Sequence, residues 1–388
     1  MRSRALAGAG AACLAALAVA GCGASSSSSA STAVSVTGHT LTIFISEPAD
    51  IARDPAALDV VHAEQLAFAA DRHEVKDFAL ALQPTFGKAL SYNARLAITD
   101  PTTIAYLGEI APGTSDQTVG ITNALDLLQV SPTDNAIELG SRTPAVAGAP
   151  QSLFESFGTY GRTFARVVPS GAEEARADVA EMKAMGVSHL YVASDSSDYG
   201  RAMADAVSAA ARAAGITVGG PLASAQAVFY GVQSPATAAH FFNRAATLAP
   251  HAKLFGPSSL NFGNFVPLLS AAAASRLYVS IPGYLPKDLP AAGRAFAAAF
   301  RIAYGHTPNT EAIFGYAAMS ALIHVIAAEG RNANDRTAVV KEFLSLHKLP
   351  SVLGSYSLNS AGNTNLDAFV FAHVRAGRLV PFLAAPTG

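Results

Sequence analysis

From position 41 onward the chain alternates short apolar runs with longer stretches that are apolar on one face. "LTIFIS" (41–46), "FALAL" (78–82), "TIAYLGE" (103–109) and "QVSP" (129–132) predict strands, while 55–72 and 116–128 predict helices. In the middle, a helix over 172–186 carries Ala175, Val179 and Met182 at helical spacing and stops at Gly186. A strand at 188–194 precedes a helix over 198–215, with Met203 and Val207 on one face, Asp198 as N-cap and Gly215 past its end. Strands at 216–220, 227–231, 253–257 and 277–281 and helices at 235–249, 290–304, 309–329 and 335–347 follow. Strands at 352–358 and 368–374 close the chain. Continuous apolar strands between amphipathic helices indicate parallel sheets covered on both faces. There are too many for one doubly wound sheet, so two α/β lobes are expected.

The N-terminus departs from this pattern. Arg2 and Arg4 precede an apolar run over 5–20, the layout of a secretory signal, and the run is short of the roughly 20 residues a membrane span needs. Val19-Ala20-Gly21-Cys22 then resembles a bacterial lipobox, in which small residues precede a cysteine that is lipidated and becomes the mature N-terminus. Cleavage removes Cys13 and leaves Cys22 as the one thiol, acylated, so no disulfide or cysteine metal site is expected in the mature chain. Each buried acyl CH2 contributes about 0.8 kcal/mol to such an anchor. Residues 23–38, rich in Ser, Ala and Thr, read as a flexible tether.

Composition narrows the function classes. At 51% hydrophobic and 14% charged, the chain is too apolar for disorder. Its formal charge of −2, with acids and bases interspersed, offers no footprint for nucleic acid. The sequence holds no Gly-x-Ser-x-Gly, Walker loop, His-Glu-x-x-His or Cys-x-x-Cys, which argues against a cell-envelope hydrolase and against enzymes generally. No cofactor or metal is implied; His62-Ala63-Glu64 reads as a helix face.

The segment "TFARVVPSGAEEARADVAEMKAMGVSHLYVASDSSDYGRAMADAVSAAARAAG" resembles type I periplasmic solute-binding proteins of the branched-chain amino-acid (Leu/Ile/Val-binding) ABC transporter family, in lipoprotein form. "IAYLGEIAPGTSDQTVGITNALDLLQVSPTD", "AGRAFAAAFRIAYGHTPNTEAIFGYAAMSALIHVIAAEG" and "VLGSYSLNSAGNT" are similar to other segments of that family, in the same order, over roughly 100–375. The resemblance implies two Rossmann-like lobes joined by three crossovers near Pro169, Pro282 and 366–369. The expected organisation is a signal over 1–21 and a lipidated cysteine with tether over 22–38. Lobe one then comprises 39–168 plus 283–366, and lobe two 169–282 plus 367–388. It further implies a monomer anchored outside the cytoplasm, capturing a small amino-acid-like solute for an ABC permease; a ligand-sensing lipoprotein is the alternative.

Site residues follow the same analogy. In the loop 110–116, N–H groups at a strand end and helix start suit a ligand carboxylate. Pro112 stands where the family has a serine, which shifts the hydroxyl role to Thr114 or Ser115; as a bland alternative, either merely caps the helix. Thr133 and Asn135 follow Ser131-Pro132, with Asp134 between them available to a ligand ammonium or to cap the next turn. Tyr199 opens a helix where its ring covers a ligand, and Tyr230 and Ser258 lie at two further strand ends. Branched-chain binders carry an acid where Ser258 stands, and "SEPAD" (46–50) is also unlike the family, with Glu47 or Asp50 as possible compensation. Both departures weigh against leucine, isoleucine and valine as ligands.

Overall fold

Strand β1 (Thr40–Ile45) is buried on both faces from Leu41 onward, so it lies inside a sheet. The computed structural model describes residues 34–71, 74–85, 88–154 and 161–386; the signal and Cys22 lie outside the described residues. Helix α1 (Pro55–Ala69) leads to β2 (Glu74–Val75) and β3 (Phe78–Pro84), then α2 (Leu90–Thr99), β4 (Thr103–Leu107), α3 (Asp116–Asn123), β5 (Leu128–Ser131) and β6 (Phe164–Arg166). These strands form one six-stranded sheet in the order β2-β3-β1-β4-β5-β6. All its pairings are parallel except β2 with β3.

The second sheet begins after α4 (Gly171–Ala184). It takes in β7 (His189–Ser194), α5 (Asp198–Ala213), β8 (Thr217–Val218), β9 (Ala227–Gly231), α6 (Pro235–Leu248), β10 (Lys253–Gly256), the short α7 (Ala271–Ala274) and β11 (Leu277–Pro282). The chain then returns to the first sheet's core with α8 (Ala291–Tyr304), α9 (Ala312–Glu329) and α10 (Arg336–Leu344). A hairpin of β12 (Leu349–Ser351) and β13 (Gly354–Tyr356) stands where one strand is expected over 352–358. Finally β14 (Phe369–Arg375) and β15 (Arg378–Ala384) add to the second sheet, giving β15-β14-β11-β10-β9-β7-β8. This edge corrects the expectation of purely parallel sheets. β14 runs antiparallel to β11, and Ala376 and Gly377, both at positive φ, close a two-residue hairpin that makes β15 antiparallel to it.

Helix α9 is long and apolar enough to cross a membrane, yet it is buried on nearly every face in the first core. It approaches α1 so closely that a Cβ on Gly315 would lie 2.4 Å from the Val60 carbonyl oxygen. Local chemistry sets several ends differently from the pattern. Ser197, not Asp198, caps α5: its hydroxyl accepts the Gly200 N–H at 2.9 Å, while Asp198 pairs with Arg201. Helix α3 stops at Asn123 rather than 128 because Asp126 adopts φ +51 and the Leu127 N–H turns back to the Thr122 carbonyl. Helix α2 escapes the periodicity reading because its buried positions are Asn93, Ala94 and Ala97, small or polar residues that leave no apolar stripe.

The first core also holds two buried acids. Glu109 follows β4 and receives the Ser46 hydroxyl at 2.6 Å and the Tyr106 hydroxyl at 2.7 Å. Burial still pushes it up to about 7. Glu64 on α1 has neither carboxyl oxygen hydrogen-bonded, and burial, then the charges of Glu47 and Glu109, push it well above the usual carboxylate range. The neighbouring His62 ring stacks on Tyr304 at 4.1 Å, so the two residues do not pair.

Two stability predictions result. Gly315→Ala overpacks the α1–α9 contact and costs about 1–3 kcal/mol by chemical denaturation. Gly120→Ala, on the exposed face of α3 with nothing within 4 Å of its added Cβ, is neutral or stabilising by up to about 1 kcal/mol. A larger loss at Gly120 than at Gly315 would contradict this packing. Glu64 and Glu109 bind their protons more tightly folded than unfolded, so stability is fully present below about pH 4.5 and falls as pH rises toward about 7. The denaturation midpoint is therefore higher at pH 5.5 than at pH 7.5, and Glu64→Gln flattens that slope; a midpoint that rises with pH would sink the assignment.

Candidate functional site

The strands of both sheets end toward a common seam. From the first side come the β4–α3 loop, residues 132–136 after β5, and Glu311 at the head of α9. From the second come the first turn of α4, Tyr199 on α5, the loops after β9 and β10, and Ser280 on β11. Hydrogen bonds cross this seam at several places among the described residues. Gln233 Nε2 donates to the Gly113 carbonyl at 2.7 Å, and the Gly263 N–H donates to Asp54 at 2.7 Å. Asn261 Nδ2 donates to Glu311 at 2.6 Å, and Asn135 Nδ2 donates to Ser258 Oγ at 3.1 Å. Gly113 sits at φ +76 with Tyr199 against it; a Cβ there would meet the Tyr199 Cβ at 2.7 Å, so only glycine fits both the backbone and the approach.

Asp134 organises the first wall. Fully buried, it accepts the N–H groups of Gly113 (2.7 Å), Thr114 (3.0 Å), Ser115 (2.7 Å) and Ala136 (3.0 Å). The loop donors expected for a ligand carboxylate are thus held by a carboxylate of the chain itself. Neither Thr114 nor Ser115 caps α3 through its side chain. Thr114 Oγ1 donates to the Ala111 carbonyl at 2.5 Å, and Ser115 Oγ accepts the Glu109 N–H at 3.2 Å. Thr133 Oγ1 donates to the Ile110 carbonyl at 2.5 Å.

Glu174 organises the second wall. It accepts the Ser258 N–H at 2.6 Å, the Ser280 hydroxyl at 2.6 Å, the Ser258 hydroxyl at 3.0 Å and the Asn135 side-chain amide. An acid therefore reaches the Ser258 position from another element, α4, where no residue of the local sequence supplies one. Burial pushes Glu174 up to about 7 against the pull of those hydrogen bonds. Asp178, one turn further along α4, goes well above its ordinary value through burial and then the Glu174 charge. Glu311 also lies high, through burial first, with Glu174 and Asp54 adding to it.

Several buried polar atoms here have no partner: Asn135 Oδ1, Asp178 Oδ1 and Glu311 Oε1, and nearby Arg166 Nη2; the Tyr199 hydroxyl lies beside Ser258. Asn135, Asp178 and Glu311 are fully buried and Tyr199 is 1% exposed. Grooves of about 700 Å³ and 410 Å³ open along the outside of the seam and share Asp54 and Gly263, but neither is lined by Glu174, Asn135 or Tyr199. The inner cluster is closed over.

The structure brings Thr114, Ser115, Thr133, Asn135, Tyr199 and Ser258 to this seam. Tyr230 goes elsewhere: alternation along β9 turns it to the opposite face from Phe229, where it stacks on Phe241 at 3.8 Å. Glu47 is half-buried beside the first core, its N–H on Thr85 Oγ1, and Asp50 heads a short helical turn. Glu174, Asp178, Ser280 and Glu311 escaped sequence reasoning. A signal existed for two of them: Glu174 and Asp178 flank the Ala175-Val179-Met182 stripe at i, i+4. First-turn acids are ordinary at helix starts, and Glu173 fills that role by accepting the Ser170 N–H in a capping box.

Known proteins share this architecture. The chain superposes on the leucine-binding protein LivK of Thermotoga maritima with a TM-score of 0.71 at 16% identity, covering 90% of this chain and 99% of that one. The isoleucine complex of LivJ from Streptococcus pneumoniae gives 0.65 at 15%, covering 90% and 100%. A solute-binding protein of R. palustris in complex with benzoate gives 0.67 at 16%, covering 90% and 97%. No curated protein sequence matches the chain. The family model described as periplasmic binding protein matches residues 139–378, more than half of the chain. With its two Rossmann-like lobes and a seam between their strand ends, the chain belongs to the periplasmic binding protein family.

Proposed function

We propose that this chain is an extracytoplasmic solute-binding lipoprotein of an ABC importer, anchored through Cys22 and acting as a monomer. It captures a small solute of amino-acid size between two lobes, which divide near Pro169, Pro282 and 366–369. The observation that carries this reading is the convergence of unpartnered, fully buried polar atoms at the seam. Buried polar groups are ordinarily hydrogen-bonded, and several left open in one place mark where a ligand completes the set.

Capture works by population shift. A solute that touches Asn135 from one lobe and Glu174 or Tyr199 from the other binds fully only when the lobes meet. Moving such an equilibrium from about 1% to about 99% closed takes roughly 5.5 kcal/mol of preferential binding. A few charge-assisted hydrogen bonds in a water-excluded site are of that order. The closed face is then what a permease recognises. Nothing in this scheme requires a chemical step.

Two measurements test it. The secreted Cys22→Ser protein, which keeps every described residue, is screened by thermal shift against amino acids, amides, amines and aromatic acids. A solute at 100 times its Kd adds about 2.7 kcal/mol to stability. Tyr199→Phe, which keeps the ring and loses the hydroxyl, weakens that solute several-fold; binding untouched by this change would place the solute elsewhere. In cells, the unaltered chain fractionates with membranes and Cys22→Ser with the soluble phase. Equal partitioning of the two would remove the lipid anchor from the reading.

A further inference from the structure

Within the solute-binding reading above, on which this inference rests, we infer that the cleft takes a small organic amine lacking a carboxylate, not an amino-acid zwitterion. The donors come first. A ligand carboxylate needs N–H and O–H groups, and the loop that would offer them is occupied: Asp134 holds the N–H groups of Gly113, Thr114 and Ser115. The nearby hydroxyls of Thr114 and Thr133 donate to the carbonyls of Ala111 and Ile110. Asp134 stands where a bound carboxylate would stand, and a second one beside it would meet like charge.

The open positions have the opposite character. Asn135 Oδ1 is an acceptor without a donor, and Asp178 Oδ1 and Glu311 Oε1 are acceptors without donors when their carboxyls are ionised. Glu174 adds a carboxylate already hydrogen-bonded to Ser258, Ser280 and Asn135. Among the described residues no lysine, arginine or histidine forms an ion pair with Glu174, Asp178 or Glu311. The buried guanidinium nearby, Arg166, donates to Asn363 and to the carbonyls of Asp134 and Ala136; its remaining nitrogen, Nη2, has no partner, but its charge faces Asp134, Glu173 and Glu138 and not Glu174, Asp178 or Glu311. A protonated amine brings what is missing: N–H donors and a positive charge in one group, with no acceptor of its own.

Matched pairs that differ only by the carboxylate test this directly. The secreted Cys22→Ser protein is titrated calorimetrically at pH 8 with isoamylamine and leucine, phenethylamine and phenylalanine, putrescine and ornithine, and agmatine and arginine. At least one amine is expected to bind 100-fold or more tightly than its amino acid. Glu174→Gln, which keeps the shape and most hydrogen bonds, weakens that amine at least tenfold. Asp134→Ala frees the loop N–H groups and narrows the preference toward the amino acid. Because that variant also loses four buried hydrogen bonds and can fail to fold, Glu174→Gln and Glu311→Gln carry the test without it. An amino acid that binds as tightly as its amine overturns the inference while leaving solute capture intact, as does binding of a solute from the broader screen with every amine silent. Silence across the whole set overturns both.

Discussion

One buried carboxylate holds the site together. Asp134 gathers four backbone N–H groups from two loops, so the β4–α3 turn and the residues after β5 cannot move independently. Its own N–H rests on Ser131 Oγ at 2.8 Å, and its carbonyl and that of Ala136 receive Arg166. With this loop pinned, Gly113 faces Tyr199, and Asn135 extends its amide to Glu174 on the opposite wall. The Gly171 N–H then meets the Asn135 carbonyl at 2.6 Å, which ties the start of α4 to the same knot.

Glu174 is the counterpart across the seam, and its position changes the chemistry of the cleft. An acid immediately after Gly256-Pro257 would sit on a strand end; here Ser258 occupies that place and the acid arrives from a helix. The serine is then a spacer that presents its N–H and hydroxyl to the carboxylate. Glu174, Asp178 and Glu311 form no ion pair among the described residues, and burial raises all three. Burying like charge costs stability, and a protein tolerates that cost where function uses the charge.

The fold was readable because its signals are local. Apolar runs over 41–46, 227–231 and 277–281 fall within a residue of β1, β9 and β11, and Gly186 and Gly215 both take the positive φ that ends a helix. Where alanine or short polar residues blur the period, as at Asn93, Ala94 and Ala97 of α2, the element was missed. The antiparallel edge of β14 and β15 was missed too, because Ala376 is an unusual residue at positive φ in a tight hairpin.

The site was legible by position and not by role. Hydrophobic period alone pointed to two α/β lobes and to the loops at their strand ends, while the placing of Thr114, Asn135, Tyr199 and Ser258 in those loops as site residues came from the resemblance to the family. It did not determine which groups remain free. Asp134 lies about 20 residues from three of the four N–H groups it satisfies, Glu174 lies 84 residues from Ser258, and Tyr230 leaves the cleft by the parity of one strand. A hydrogen bond between residues so far apart leaves no mark on local periodicity. Only the tertiary structure could decide that the loop N–H groups are already held by Asp134 and that Asn135 Oδ1, Asp178 Oδ1 and Glu311 Oε1 are left without partners.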